Sequence, residues 1–219
     1  MKFGILGGTF DPIHLGHLRT AYEIGQELNL DKVYLIPAAS PPHKINEPVT
    51  QLHHRMAMTR LAIGESPLLE ALDLEGKRSG PSYSIDTLRD LYRIFRPDPD
   101  LFFILGIDAF LEIETWKEYH SLFDYAHFVI IQRGGYKTKR FESLLSNLCA
   151  EAKKPHWPNV FTTPSGKTLT LMPVTSMEIS STHIRKILSE GKSIRFLVPE
   201  SVRDYIIQKG LYTDNAIFR

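Results

Sequence analysis

The fold is decided near the start of the chain by the stretch Phe3-Gly4-Ile5-Leu6-Gly7-Gly8-Thr9-Phe10-Asp11-Pro12-Ile13-His14-Leu15-Gly16-His17. Its first four residues form a short, mostly apolar run that ends at two glycines, which is typical of a buried strand. Apolar residues then recur at spacings of three and four over residues 17–28, which predicts a helix with one apolar stripe. A buried strand followed by an amphipathic helix is the first half of a βαβ unit.

The same alternation continues along the chain and predicts an α/β fold. Further strands are expected at residues 32–37, 68–74, 101–105, 128–131 and 169–174, and further helices at 51–63, 84–95, 180–188 and 199–208, with short helical pieces over 109–125. Strands that alternate with helices form parallel βαβ units with right-handed crossovers. We therefore expect a doubly wound, Rossmann-like open parallel sheet with helices on both faces and a C-terminal helical appendage. Its ligands should lie at the carboxyl ends of the strands.

The whole chain is expected to form one domain. It has 219 residues, of which 42% are hydrophobic and 23% charged, as in ordinary globular proteins. We assign residues 1–178 to the core, with an irregular insertion near residues 134–166, where lysine and proline are scattered. Residues 179–219 contribute the closing helices, and the last helix has Pro199 at its start and Gly210 past its end.

Charge and cysteine content limit the partners and the compartment. The net charge of +1 gives no long-range attraction to nucleic acid or to an anionic membrane, so neither is an expected partner. The longest apolar run, residues 101–107, is far shorter than the roughly 20 residues of a membrane helix. The single cysteine, Cys149, cannot form an intrachain disulfide, and no secretion signal is evident at the N-terminus. We expect a cytoplasmic protein.

Several features of the opening stretch indicate an anion-binding site. Gly7 and Gly8 follow the strand, and their backbone N–H groups can approach an anion closely because no Cβ intervenes. The helix that begins near His14 directs the positive end of its dipole to the same place. His14 and His17 are three residues apart, so both imidazoles should lie on one face, within reach of one phosphate group. Gly16 is expected to leave the surface open for a base or sugar.

A second candidate phosphate site lies near the C-terminus, in Ile179-Ser180-Ser181-Thr182-His183-Ile184-Arg185. A serine at a helix start is a common N-cap, and a well-capped helix alone would account for the hydroxyl residues. Arg185 lies one turn into this helix and can reach back toward the same end. Hydroxyls, N–H groups and a guanidinium would then converge on phosphate oxygens, which we favour because of the histidine pair.

Other nucleotide and metal motifs are excluded. No G-x-G-x-x-G follows the first strand, so the dinucleotide fingerprint is absent. The run Ser165-Gly166-Lys167-Thr168 resembles the end of a P-loop, but Phe161 stands where the first glycine is required. The remaining histidines have no metal-ligand spacing such as H-E-x-x-H, so no protein metal site is expected.

Two elements, His14-x-Gly16-His17 and Ile179-Ser180-Ser181-Thr182-x-Ile184-Arg185, resemble signature motifs of the nucleotidylyltransferase superfamily. Within it, the whole chain resembles the bacterial nicotinate mononucleotide adenylyltransferases. Residues 82–88 and Trp116 narrow the resemblance to this family, with support from Pro37, Pro41-Pro42-His43-Lys44, Arg55-Met56 and Gly106-Ile107-Asp108. The chain departs from the family pattern after Arg133, where Gly134-Gly135 and a basic insertion replace the usual proline and glycine.

The resemblance implies transfer of AMP from ATP to nicotinate mononucleotide, which gives deamido-NAD and pyrophosphate, with Mg²⁺ as the cofactor on the triphosphate. The mononucleotide phosphate would attack the α-phosphorus in line, without a covalent enzyme intermediate. The resemblance assigns the α-phosphate to His17, the neighbouring phosphates to His14, and the β and γ phosphates to Arg185 and Ser181. The remaining ATP contacts that we assign are Gly7, Gly8, Thr9, Phe10, Gly106, Asp108 and Ser180. Asp108 is either a ribose neighbour or a partner of Mg²⁺ through water.

The resemblance also implies a site for the mononucleotide. Trp116 resembles the platform on which the pyridine ring stacks, although a core or surface aromatic is the alternative. The backbone N–H groups of Ile85 and Lys117, next to Ser84, resemble those that receive the nicotinate carboxylate. Lys44 is a candidate partner of the mononucleotide phosphate, with a solvated loop lysine as the alternative, and Arg133 is a weaker candidate for the same role.

Two classes of alternative remain at the level of sequence. The chain would instead be another nucleotidylyltransferase, of the pantetheine-phosphate adenylyltransferase or cytidylyltransferase type, if it accepted a different phosphate or nucleotide. It would be a catalytically silent nucleotide-binding regulator if it bound ATP without releasing pyrophosphate. The sequence leaves open the oligomeric state (including a homo-oligomer), the strictness for the acid mononucleotide, the order of binding and the role of the insertion.

Overall fold

The computed structural model describes residues 1–42, 48–132, 139–149 and 160–213. The strands are β1 (Lys2–Gly8), β2 (Lys32–Pro37), β3 (Leu69–Ala71), β4 (Asp100–Gly106), β5 (His127–Gln132), β6 (Val160–Thr162) and β7 (Thr168–Pro173). The helices are α1 (Leu15–Glu27), α2 (Leu52–Ile63), α3 (Ser84–Ile94), α4 (Ile107–Leu111), α5 (Tyr119–Tyr125), α6 (Lys139–Leu148), α7 (Ser181–Ser189) and α8 (Glu200–Lys209). None of these helices is long and apolar enough to cross a bilayer.

The strands form one seven-stranded sheet in the order β3-β2-β1-β4-β5-β7-β6. All neighbouring pairs are parallel except β6 and β7, which are antiparallel. The chain runs outward from β1 to β3 and then returns to place β4 on the other side of β1, so the strand order reverses between β1 and β4. Ligands of such sheets bind beyond the carboxyl ends of the strands at this reversal. The prediction of a doubly wound sheet is confirmed, with one antiparallel edge strand added.

Alternate residues along the central strands build two hydrophobic cores, one on each face of the sheet. Phe3 and Ile5 of β1 share one core with α3, α4, α5 and α6, whereas Leu6 shares the other with α1, α2, α7 and α8. Because successive strand side chains point to opposite faces, a fully buried strand must be apolar on both. This requirement explains the continuous apolar runs from which the sequence predicts the strands.

The region predicted as an irregular insertion is more ordered than expected in its described parts. Helix α6 buries Phe141, Leu144, Leu145 and Leu148, which recur at spacings of three and four. Strand β6 extends the sheet by pairing with β7. The prediction of irregular structure is therefore wrong here, because scattered lysines and prolines obscured one apolar helix face. Residues 133–138 and 150–159 of this region lie outside the described residues.

His127 at the start of β5 makes the stability of the fold dependent on pH. Its Nδ1 atom accepts a hydrogen bond from the Thr168 N–H at 3.0 Å, so the neutral ring carries its proton on Nε2, 2.9 Å from Asp100 Oδ1. Burial is the main cause that lowers the pKa of His127, and the opposing attraction of Asp100 is smaller. Since the unfolded chain takes up the proton first, this contribution to stability is present above the ordinary histidine pKa and is lost as the pH falls below it.

We expect the free energy of unfolding of the wild type to fall more steeply between pH 7.5 and pH 5.5 than that of His127→Gln, by at most about 1.4 kcal/mol per pH unit. Urea unfolding at both pH values measures the difference. The exposed His120 offers the matched control, and His120→Gln should keep the wild-type pH dependence. Equal pH dependence of wild type and His127→Gln would contradict the role given to this ring.

Candidate active site

A cavity of about 480 Å³ lies at the point where the strand order reverses. Gly7, Gly8 and Thr9 contribute its wall at the end of β1, and Gly106 contributes its wall at the end of β4. Its other sides are formed by His17 and Thr20 of α1, by the loop after β2, by the start of α3, and by Trp116 with Lys117. Predicted residues from distant parts of the sequence therefore meet in one concave site.

The two motif histidines are stacked at the start of α1. Their ring centroids are 3.6 Å apart and the rings are inclined by 22°. The His14 backbone N–H donates to Nδ1 of His17 at 3.3 Å, so the neutral His17 ring carries its proton on Nε2. His17 lines the cavity, whereas His14 is only 3% exposed and lies behind it. The two imidazoles lie together, as their spacing of three residues predicts, but only His17 borders the cavity.

The glycines of this region serve two different purposes. A Cβ atom on Gly7 or Gly106 would meet nothing within 4 Å, so a side chain at either position would project into open space beside the cavity. A Cβ on Gly16 would lie 3.1 Å from Nδ1 of His14. Gly16 therefore makes room for the imidazole of His14, and the expectation that it leaves a surface for a base or sugar stays a prediction.

The start of α7 is joined to the loop between β1 and α1. Ser181 Oγ donates to the Pro12 carbonyl at 2.8 Å, and Arg185 Nη1 donates to the Asp11 carbonyl at 2.8 Å. Ser180 caps the helix by accepting a hydrogen bond from the His183 N–H at 3.1 Å. The two distant motifs thus lie together as expected. Ser181 and Arg185 of α7 bind backbone carbonyls of the loop, and Arg185 borders a second cavity of about 330 Å³ with Asp11 and Lys186.

Two further predicted ATP contacts lie beside the cavity without lining it. Phe10 is 2% exposed, and its ring is nearly perpendicular to that of His17 with centroids 5.0 Å apart. Asp108 is exposed in the first turn of α4, directly after β4. Phe10 therefore supports His17, whereas the carboxylate of Asp108 remains accessible at the carboxyl end of the sheet.

The opposite side of the cavity is built around the N-terminus of α3. Ser84 is the first residue of this helix and lines the cavity, while the Ile85 side chain is fully buried in the core. The first N–H groups of a helix have no acceptor within it, so those of Ser84 and Ile85 suit an anion. Trp116 lines the same side and packs edge-on against Phe103 with centroids 6.2 Å apart.

Polar contacts hold this side of the cavity together. Lys117 Nζ lies 3.0 Å from Asp86 Oδ2 of α3 and 4.9 Å from the ring centroid of Tyr83. The Ser82 N–H donates to the Ser40 carbonyl at 2.9 Å, which joins the loop after β2 to the start of α3. The other two predicted mononucleotide contacts, Lys44 and Arg133, lie outside the described residues.

Sequence reasoning missed several residues of the site. Arg55 is 1% exposed and donates to carbonyl oxygens of the loops that line the cavity. Glu75 lines the cavity, and Tyr212 donates from its hydroxyl to Asp11 Oδ1 at 2.6 Å. Arg55 belongs to a motif, Arg55-Met56, that supports the family resemblance, but the sequence analysis assigned it no role. Tyr212 gave no local signal, since its partner is 201 residues away.

The family model for cytidylyltransferase-like proteins matches residues 5–187. That range includes both motif regions and every wall of the cavity. The chain belongs to the cytidylyltransferase-like family. The resemblance inferred from the two motifs is thereby confirmed, and these motifs supply the joined loop and helix start described above.

Full-length relatives indicate which members of the cytidylyltransferase-like family this chain resembles. A protein of Desulfatibacillum aliphaticivorans, named "probable nicotinate-nucleotide adenylyltransferase", is 46% identical over 218 residues, which cover 97% of this chain and 100% of the relative. A protein of Geotalea daltonii with the same name is 40% identical, over 98% of this chain and 99% of the relative. The narrower resemblance inferred from residues 82–88 and Trp116 is confirmed by these full-length matches.

Solved structures support the fold assignment. The nicotinic acid mononucleotide adenylyltransferase of Plasmodium falciparum, complexed with APC, aligns with a TM-score of 0.69 and 24% identity over 96% of each chain. The same protein complexed with NaAD also aligns with a TM-score of 0.69. At this identity the likeness concerns the fold alone.

Proposed function

We propose that this chain transfers the adenylyl group of ATP to the phosphate of nicotinate mononucleotide, giving deamido-NAD and pyrophosphate. One observation carries the proposal: a single cavity has His17 and the glycine-rich end of β1 on one side, and Trp116 with the start of α3 on the other. The first side suits a triphosphate and the second suits a ring that bears a carboxylate. The names of the full-length relatives support the same reaction.

The reaction requires positioning and charge stabilisation rather than a covalent intermediate. An oxygen of the mononucleotide phosphate forms a bond to the α-phosphorus of ATP, and the bond from that phosphorus to the bridging oxygen of the β-phosphate breaks. Pyrophosphate leaves with the electron pair of that bond. Negative charge develops on the oxygens of the α-phosphate, where a fixed N–H donor is most effective. His17 is the residue that we assign to this task, because its Nδ1 accepts from the His14 N–H.

Mg²⁺ is proposed as the cofactor, bound mainly by the phosphates of ATP. Mg²⁺ usually keeps several waters and is held by one or two carboxylates together with substrate phosphates. The exposed carboxylate of Asp108, at the start of α4, suits a contact through water. When bound, the ion would neutralise charge on the triphosphate.

A preference for the acid mononucleotide follows from the start of α3. Backbone N–H groups at Ser84 and Ile85, together with the N–H of Lys117, favour a carboxylate, whereas an amide would direct its own NH₂ donor toward them.

Cytoplasmic localisation is part of the same proposal, supported by the single, buried Cys149.

Pyrophosphate release with different acceptors tests the function. With ATP, we expect kcat/KM for nicotinate mononucleotide to exceed that for nicotinamide mononucleotide by about a hundredfold, because an amide leaves the donors unpaired. Phosphopantetheine as the acceptor, and CTP in place of ATP, should give little product. Equal turnover of acid and amide would overturn the carboxylate site, and ATP binding without pyrophosphate release for any acceptor would favour a regulator.

Trp116→Ala should weaken the acceptor and spare ATP. Stacking of a base on an aromatic ring contributes about 1–3 kcal/mol, so the KM for nicotinate mononucleotide should rise by about five- to 150-fold. The KM for ATP should stay within about twofold. Trp116→Phe is the matched control, since it keeps a ring in the cavity and should retain most of the affinity. An equal rise in both KM values would contradict the assignment.

A further inference from the structure

Arg55 of α2 is a buried charged side chain next to the 480 Å³ cavity. The reaction proposed above gives it no role. It is 1% exposed, and it is among the largest side chains that the described protein encloses completely. Charged side chains are almost never fully buried unless they are paired. Burial lowers the pKa of Arg55 below its usual value, and the carboxylate of Asp11 opposes that effect. Its position therefore requires an explanation from its contacts.

The guanidinium of Arg55 donates to backbone carbonyls of three separate segments. Nη1 donates to Thr9 at 2.8 Å and to Ala38 at 2.7 Å, and Nε donates to Thr50 at 2.7 Å. Nη2 lies 3.5 Å from the Ala39 carbonyl. Thr9 belongs to the loop after β1, Ala38 and Ala39 to the loop after β2, and Thr50 precedes α2. One planar group thus joins the two loops to a helix.

Asp11 supplies the counter-charge and closes the arrangement. It is 3% exposed, its Oδ2 accepts from the Thr50 N–H at 3.2 Å, and its Oδ1 accepts from the Tyr212 hydroxyl at 2.6 Å. Thr50 therefore binds Arg55 through its carbonyl and Asp11 through its N–H. Arg185 Nη1 holds the Asp11 carbonyl, so the loop after β1 is bound from α2 and from α7.

These contacts matter because the joined loops form two walls of the cavity. Thr9 lies on the phosphate side, while Ala38 begins the loop that continues to Pro41 and Pro42, which also line the cavity. Between Thr9 and Asp11, Phe10 has a φ of 49°, in the left-handed region that bulky residues rarely adopt. Such a conformation persists where the surrounding contacts over-determine it. Arg55 is one of those contacts.

We propose that Arg55 is a positioning residue for adenylyl transfer, which sets the spacing between the phosphate wall at Thr9 and the loop wall at Ala38. This inference rests on the function proposed above. The loop after β2 is joined to the acceptor side, at the start of α3, by the hydrogen bond from the Ser82 N–H to the Ser40 carbonyl. The in-line attack depends on the distance between that side and the phosphate side. A misplacement of about 1 Å can cost about a hundredfold in rate. Loss of Arg55 should therefore affect kcat more than either KM.

Arg55→Lys tests the proposal, because lysine keeps the charge but lacks the planar fork that reaches several carbonyls at once. At 20 °C, with folding verified by circular dichroism, we expect kcat to fall by about 30- to 100-fold. The KM values for ATP and for nicotinate mononucleotide should each stay within about threefold. A kcat within threefold of the wild type would overturn the proposal, as would a loss found only in KM.

A control variant separates positioning from a general loss of stability. Leu169 is fully buried in β7, away from the two loops, and Leu169→Ala should lower the melting temperature while leaving kcat and both KM values within about twofold. A comparable fall of kcat in this control would also count against the proposal. The wild type is assayed first. If it releases no pyrophosphate, the proposed function is wrong; if it does and the Arg55 variants behave like the wild type, only the role of Arg55 is wrong.

A milder variant keeps the test decisive if Arg55→Lys does not fold. Tyr212→Phe removes only the hydroxyl that donates to Asp11, the counter-charge of Arg55. We expect kcat to fall by about three- to tenfold with both KM values unchanged. In that case a folded Tyr212→Phe with the kcat of the wild type would overturn the proposal.

Discussion

His17→Ala should lower kcat by about a hundredfold to a thousandfold while the KM for ATP changes by less than about threefold. Removal of one fixed donor to developing oxyanion charge typically has this cost. The donor is fixed by local structure, because Nδ1 of His17 accepts from the His14 N–H and the ring contacts both His14 and Phe10. The ground state carries less charge on the α-phosphate oxygens, so substrate binding should depend on His17 less than the rate does.

Initial rates of pyrophosphate release over a range of ATP concentrations measure both constants. His17→Gln offers a matched variant that retains an N–H donor near the position of Nε2, and we expect it to lose less activity than His17→Ala. His53, which is exposed on α2, serves as the control for a histidine outside the site. If His17→Ala kept more than a third of the wild-type kcat, the role assigned to this ring would be wrong.

Arg185→Ala should lower kcat/KM for ATP by about a hundredfold. Its guanidinium joins α7 to the Asp11 carbonyl at 2.8 Å, and that loop leads directly into the histidine pair. The resemblance further implies a contact with the β and γ phosphates, for which the bidentate geometry of arginine is suited. Both roles fail together when the side chain is removed, so we expect kcat to fall and the KM for ATP to rise.

The neighbouring residue of α7 provides the control. Lys186 is exposed and borders the same 330 Å³ cavity, so Lys186→Ala removes a positive charge without breaking the contact to the loop. We expect less than a threefold change in kcat/KM for ATP. An equal effect of both substitutions would show that general positive charge is required rather than the specific bond of Arg185. An Arg185→Ala variant as active as the wild type would remove the link between the two motifs from the mechanism.

The order of strands and helices was largely predictable because it depends on local patterns. The prediction over residues 32–37 coincides with β2, and the predictions for β4 and β5 differ by one residue at each end. Each of these strands is buried on both faces, so its apolar run is uninterrupted and easily recognised. Helix α6 was missed because its apolar face is spread among charged residues within a basic region.

The candidate site was predictable from local pattern where a motif is continuous in sequence, and elsewhere, as at Trp116, only through the family resemblance. The role of the glycines after β1 was predictable because they stand at the end of a strand. The contact between His14 and His17 was predictable because residues three apart lie on one side of a helix. By contrast, Arg185 was predicted to bind phosphate oxygens, whereas the structure shows that its guanidinium donates to the Asp11 carbonyl. No local pattern distinguishes these two acceptors, because a guanidinium donates equally well to a carbonyl oxygen and to a phosphate oxygen.

By itself, then, the sequence determined the two motifs and most of the strands and helices, though not α6 or β6, since hydrophobic period and glycine placement act over a few residues. Only the tertiary structure decided which carbonyls Arg55 and Arg185 bind, and that Tyr212 closes on Asp11. Those partners are up to 201 residues apart, and a buried polar group takes whichever acceptor the packed chain brings within about 3 Å. The sheet topology decides that choice, because β1 and β2 are parallel neighbours and the loops that follow them lie side by side at their carboxyl ends.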